Sequence, residues 1–208
     1  MTAIKICGVR RPADVQAVRR AGADHIGLNT VGRSPRFVDP ATAKGLAEVA
    51  EGLVRVGLFV EPNDSDIEPY LGGVDAIQLH GNESPARAAD IAARFGKPVW
   101  KAVGVAGPAD LDAAKPYAGA ADFILFDAKP SPGELEGGRG VRIDWALFAG
   151  RRFPFRWGLA GGLTPDNVGQ ALAATNAPLV DVSSGVEEAP GEKSATLIGR
   201  FVEAVRQA

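Results

Sequence analysis

Gly119-Ala120-Ala121-Asp122-Phe123-Ile124-Leu125-Phe126-Asp127 is the stretch on which the fold turns. Small residues and a glycine end a helix, and an aspartate turns the chain. Four apolar residues then read as a strand buried on both faces, and a second acid closes it. The opening of this unit recurs as Ala21-Gly22-Ala23-Asp24 and Gly72-Gly73-Val74-Asp75, each again followed by an apolar run. The three aspartates are 51 and 47 residues apart, about the length of two strand–helix units each. Asp24, Asp75 and Asp122 therefore fall in αβ turns that feed alternate strands, on the face of the fold that serves stability.

Working outward, apolar runs near 4–7, 25–29, 55–60, 76–80, 99–103, 123–127, 156–160 and 179–183 read as strands. Amphipathic stretches near 12–22, 40–51, 64–72, 84–95, 108–117, 143–150, 165–174 and 193–206 alternate with them as helices. Strict alternation implies parallel βαβ units, and eight of them imply closure. The expected fold is an α/β single-domain (β/α)8 TIM barrel over residues 1–208, shorter than the usual ~250 residues. Segment 128–142, rich in glycine and proline, reads as a long loop after the sixth strand and a candidate lid.

Composition narrows the classes of function. The 208 residues are 46% hydrophobic and 23% charged, with a formal net charge of -2 and no basic block, which argues against nucleic-acid and membrane partners. No run of 18 or more apolar residues and no signal-type h-region are read, and one cysteine points to a cytoplasmic chain. Two histidines with that cysteine are too few for a metal site, and no Walker or Rossmann glycine pattern suggests a nucleotide cofactor. Neither a metal nor a cofactor is expected.

The candidate chemistry gathers at the C-terminal ends of the strands, where barrels of this kind place their active sites. Cys7 ends strand one in Lys5-Ile6-Cys7-Gly8, and Asp127 ends strand six, giving a possible base and acid across one mouth. Their ordinary pKa values, about 8.5 and about 3.9, stand the wrong way round for those roles. Burial raising Asp127, or Lys5 or a helix dipole lowering Cys7, is one remedy; a small population in the correct protonation states is the other. Gly161-Gly162-Leu163-Thr164-Pro165 after strand seven and Asp181-Val182-Ser183-Ser184-Gly185 after strand eight offer backbone amides to an anion, with Thr164 as the expected helix cap. Gly161, Gly162, Asp181, Ser184 and Gly185 are the candidate phosphate-side residues. Arg36, in Ser34-Pro35-Arg36, can fork onto a carboxylate, with Arg33 as competitor. His80 ends strand four and either touches substrate or holds a backbone carbonyl.

Taken in order, Lys5-Ile6-Cys7-Gly8, Ser34-Pro35-Arg36, Gln78-Leu79-His80-Gly81, Phe126-Asp127-Ala128-Lys129-Pro130, Ile143-Asp144-Trp145, Leu159-Ala160-Gly161-Gly162-Leu163 and Ser183-Ser184-Gly185-Val186-Glu187 resemble the phosphoribosylanthranilate isomerase family. The resemblance covers essentially the whole chain. It implies an Amadori rearrangement of N-(5-phosphoribosyl)anthranilate in tryptophan biosynthesis, with Asp127 as general acid and Cys7 as general base. It implies Arg36 on the anthranilate carboxylate and the two glycine segments on the phosphate of a small-molecule phosphorylated substrate. Both a monomer and a homodimer are compatible with it. The family's aromatic residues before Ser-Pro-Arg are replaced here by Leu28-Asn29-Thr30-Val31-Gly32-Arg33, and Ser194 stands where an aspartate is usual. Two other readings compete: a related phosphosugar isomerase barrel, such as the histidine-pathway enzyme with two aspartates, against which Cys7 argues, and a non-catalytic phospho-ligand binder.

Overall fold

A computed structural model describes residues 1–129 and 142–208. Parallel strands β1 (Ala3–Cys7), β2 (His25–Asn29), β3 (Val54–Phe59), β4 (Ala76–Leu79), β5 (Val99–Val105), β6 (Phe123–Ala128), β7 (Trp157–Leu159) and β8 (Leu179–Val182) close in sequence order, with β8 pairing back onto β1. Helices α1 (Pro12–Ala21), α2 (Pro40–Val49), α3 (Asp64–Ile67), α4 (Pro85–Phe95), α5 (Pro108–Asp112), α6 (Val168–Thr175) and α7 (Ala195–Gln207) surround the barrel. Among the described residues no helix is long and apolar enough to cross a membrane.

The strands are apolar on both faces because each face has a core. One set of side chains (Val56, Ala76, Trp100, Phe123, Leu125, Ala160 and Leu179) fills the barrel. The alternate set, Ile4, Ile6, Ile26, Ile77, Leu79, Ile124 and Phe126 among them, packs outward with helix residues such as Val15, Leu46, Ile91 and Phe201. Period-two alternation then puts Lys5 and Cys7 on the inner face with Ala3, Gln78 with Ala76, Asp127 with Leu125, and Asp181 with Leu179.

The repeated aspartates form three copies of one joint. Asp24 Oδ2 accepts from the Ile4 amide at 2.8 Å, Asp75 Oδ2 from the Arg55 amide at 2.9 Å, and Asp122 Oδ2 from the Val99 amide at 2.8 Å. Each carboxylate thus ties the start of one strand to the turn entering the next.

Several helical stretches are shorter than their apolar pattern suggests. The segments 64–72 and 108–117 break into α3 and α5 plus single 3-10 turns at Glu68–Tyr70 and Lys115–Tyr117, each with a proline inside. In place of a helix over 143–150 there is only a 3-10 turn, Trp145–Phe148. The outer wall there is aromatic instead: Phe148 stacks on Trp157 at 5.4 Å, and Phe126 and Phe153 close around them. Before α7 the chain makes a hairpin, β9 (Glu187–Ala189) and β10 (Glu192–Lys193), which the helix pattern over 193–206 does not foretell. Ser194 caps α7, its Oγ accepting from the Leu197 amide at 3.4 Å, so the family's aspartate has a working substitute there. Residues 130–141, most of the segment read as a lid, lie outside the described residues.

Candidate active site

Cys7 ends β1 and Asp127 stands one residue before the end of β6, both on the inner face of the same barrel mouth, with the His80 side chain between β4 and Asp127. Cys7 is buried, and burial pushes its thiol up in pKa. The neighbouring Lys5 ammonium pulls the other way, in the direction read from the sequence, and does not prevail over burial. Room for the sulfur comes from Gly27 on β2: a Cβ there would lie 2.6 Å from Cys7 Sγ and 3.0 Å from Lys5 Nζ.

Lys5 is itself fully buried and pairs with Asp181 at 3.0 Å. Burial works against its charge, but Asp181 and Cys7 outweigh it and hold the amine above its ordinary pKa. Asp181 was expected beside the phosphate loop; its carboxylate is turned into the barrel onto Lys5, because residue 181 shares the inner face with Leu179. Burial lifts that carboxyl above the usual carboxylate range, with Lys5 opposing.

The acid has a clear partner. His80 Nε2 lies 3.3 Å from Asp127 Oδ2, and Gln78 Nε2 lies 3.3 Å from His80 Nδ1. The imidazole thus bridges the Gln78 amide on its Nδ1 side and the Asp127 carboxylate on its Nε2 side. Asp127 Oδ1 accepts from the Ala128 amide at 2.8 Å, which fixes the second oxygen. His80 therefore contacts the candidate acid, not the backbone carbonyl that the sequence left open.

Arg36 reaches the mouth from the loop after β2, and its fork is already engaged. Nε and Nη2 donate to the Glu187 carboxylate at 2.8 and 2.7 Å, and Lys193 Nζ donates to the same carboxylate at 2.7 Å. The Arg36 and Lys193 cations hold Glu187 below its ordinary pKa although burial works to raise it. Two cations and one carboxylate leave an excess of positive charge beside Cys7, and Arg36 keeps Nη1 for another acceptor. Lys193, delivered by the β9–β10 hairpin, and Gln78 carry no motif signal and are missed by sequence reasoning. A lysine falling at β10 after a short turn is visible only once the hairpin is known.

The two glycine segments meet at the mouth. Gly161 and Gly162 take φ of +85° and +64°, and a Cβ on Gly161 would lie 2.5 Å from the Ala128 amide nitrogen, so only glycine lets this turn pass the end of β6. The turn is clamped by Asn167, whose Oδ1 accepts from the Thr164 amide at 2.8 Å and whose Nδ2 donates to the Gly162 carbonyl at 2.9 Å. Regular helix begins at Val168 with no side-chain cap hydrogen bond, so the Thr164 hydroxyl does not cap it as expected; Asn167 holds the N-cap position and ties back the turn before it. Gly185 packs directly on the Leu163 carbonyl, joining the two segments. Among the described residues no hydrogen bond engages the amides of Gly161, Gly162, Ser184 or Gly185.

A (β/α)8 barrel with a carboxylate, a thiol and amide-rich glycine loops after β7 and β8 on its C-terminal face has the architecture of barrel enzymes that bind a phosphate group. The family model for N-(5'-phosphoribosyl)anthranilate isomerase matches residues 4–204. An N-(5'-phosphoribosyl)anthranilate isomerase of Paracoccus denitrificans is 51% identical over 96% of this chain and 94% of its own length, and one of Ruegeria sp. is 48% identical over 98% and 97%. The solved phosphoribosyl anthranilate isomerase of Thermotoga maritima superposes with a TM-score of 0.90 at 34% identity, covering all of both chains. A second such structure, holding reduced 1-(o-carboxyphenylamino)-1-deoxyribulose 5-phosphate, superposes with a TM-score of 0.87 at 32% identity over all of both chains. The chain belongs to the N-(5'-phosphoribosyl)anthranilate isomerase family and carries that isomerase activity of tryptophan biosynthesis.

Proposed function

We propose that Asp127 is the general acid and Cys7 the general base of this isomerisation. Asp127 gives its proton to the ribose ring oxygen as the bond from that oxygen to C1 breaks and the anthranilate nitrogen forms a double bond to C1. Cys7 thiolate then takes the C2 proton; the freed pair becomes the C1–C2 double bond, and the nitrogen recovers its lone pair. The resulting enolamine becomes the ketone by gaining a proton at C1 from water and losing the hydroxyl proton at C2 to water. The observation that carries this assignment is the placement of Cys7 at the end of β1 and Asp127 one residue before the end of β6, each with its own polar partner, Lys5 and His80.

Arg36 takes the anthranilate carboxylate on its remaining N–H groups, oriented by Glu187. The amides of Gly161, Gly162, Ser184 and Gly185 take the phosphate. The chain acts as one domain over residues 1–208, as a monomer or homodimer in the cytoplasm. The test is loss of anthranilate fluorescence from freshly made substrate with Cys7→Ser and Asp127→Asn. Each should fall by a factor on the order of a hundred to ten thousand with folding intact, and near-normal rates in both would sink the assignment.

A further inference from the structure

The acid–base scheme leaves the enzyme with its proton at the wrong end. After one turnover Asp127 has become a carboxylate and Cys7 a thiol, and the next substrate needs the reverse. The Cys7 thiol is buried, only 7% exposed, so exchange with bulk water is hindered on that side. Lys5 and Asp181, sealed inside the barrel below both groups, have no part in the scheme so far.

The groups for an internal return are neighbours. Lys5 Nζ and Cys7 Sγ border the same gap at Gly27, and Lys5 donates to Asp181 Oδ2 at 3.0 Å. The other oxygen, Asp181 Oδ1, is buried with no hydrogen-bond partner among the described residues, and so is Gln78 Oε1. Buried acceptors left open in polar surroundings call for an ordered water. Asp127 and Asp181 both face the barrel interior, from β6 and β8, with only β7 between them.

We propose that Asp181 is a proton-return group, linked through Lys5 to Cys7 and through a buried water at Oδ1 to Asp127. This inference rests on the acid and base roles proposed above. Lys5 passes a proton to the Asp181 carboxylate as it takes the thiol proton, leaving a thiolate beside an ammonium. The Asp181 carboxyl turns about Cβ–Cγ and gives its proton through the water to Asp127. The net change is thiol plus carboxylate to thiolate plus carboxylic acid, with no bond to carbon altered and no redox partner. Burial, by lifting the Asp181 carboxyl, makes it fit to hold the proton in transit.

Steady-state kinetics of the wild type and Asp181→Asn, with imidazole as an external proton carrier at fixed pH and ionic strength, decide the matter. A return path confined to the regeneration step predicts that kcat of Asp181→Asn falls at least about tenfold while kcat/KM stays within about twofold. Imidazole should restore kcat in the variant and leave wild-type kcat unchanged. A parallel fall in kcat and kcat/KM, as a role in packing or binding would give, overturns the proposal; so does a kcat that imidazole fails to restore. Should the variant not fold, the wild type decides alone: kcat rising with carrier concentration means that no internal path resets the site. Failure of the acid–base reading is seen separately, as near-normal rates in Cys7→Ser and Asp127→Asn.

Discussion

Arg36 and Glu187, 151 residues apart, face each other as a two-pronged pair, with Nε and Nη2 at 2.8 and 2.7 Å from the two carboxylate oxygens. The Glu187 side chain is almost wholly buried and also receives Lys193. The pairing fixes the plane of the guanidinium, so Arg36 offers its remaining N–H groups in one direction. A lysine supplies a point charge with no such plane. Arg36→Lys is expected to raise KM roughly ten- to a hundredfold, the equivalent of losing about 1.5–3 kcal/mol of charge-assisted hydrogen bonding, with a smaller effect on kcat. Initial rates against substrate concentration check this; an unchanged KM would remove Arg36 from substrate binding.

Gly27 is expected to tolerate no side chain. A Cβ at 2.6 Å from Cys7 Sγ and 3.0 Å from Lys5 Nζ must displace one of them, and both bear on the base. Gly27→Ala should lower kcat by a factor on the order of a hundred, the scale of a misplacement of about 1 Å at a reacting group. Circular dichroism should show the barrel retained, since the crowding is confined to the mouth. A fully active Gly27→Ala would mean that Cys7 can move freely and that its position is not what the rate depends on.

The αβ-turn aspartates should separate stability from activity. Asp122 accepts the Val99 amide at 2.8 Å, at the opposite end of the barrel from Cys7 and Asp127. Asp122→Ala leaves that amide without its partner and should cost about 1–3 kcal/mol. For a chain of this size the melting temperature should fall by about 2–4 °C per kcal/mol lost. kcat at room temperature should be unchanged, and thermal unfolding beside an activity assay reads both. A lost kcat with an unaltered melting point would contradict the assignment of these residues to the scaffold.

What was legible in the sequence follows from how local each signal is. The strands show because burial on both faces writes a run such as Phe123-Ile124-Leu125-Phe126. Cys7 and Asp127 show because a polar residue at the end of such a run falls on the mouth. The 3-10 turn at Trp145–Phe148 misleads because Phe148, Phe153, Phe155 and Trp157 are spaced for an aromatic cluster, not for one face of a helix. The pairs Lys5–Asp181 and Arg36–Glu187 are written nowhere locally. Barrel closure brings β8 beside β1, a hairpin returns Lys193, and inner-face alternation turns Asp181 away from the loop it adjoins.

Acid should loosen the mouth through Glu187 before the rest of the barrel. The Arg36 and Lys193 cations hold its folded pKa below the ordinary 4.5, so the folded state favours the charged form. The associated stability is present in full above the unfolded pKa of 4.5 and is lost as pH falls through the lower folded value. Lys5 behaves in the opposite sense: its folded pKa lies above 10.5, and its contribution is lost only as pH rises through that value. Between these limits both contributions are complete. Glu187→Gln leaves the buried Lys193 ammonium and the half-buried Arg36 guanidinium without their counter-charge and should destabilise by about 3 kcal/mol near neutral pH. It should also flatten the fall in unfolding free energy below pH 4.5, because the group that titrates is gone. Denaturant unfolding at a series of pH values distinguishes the two proteins; parallel curves on the acid side would place the responsible carboxylate elsewhere.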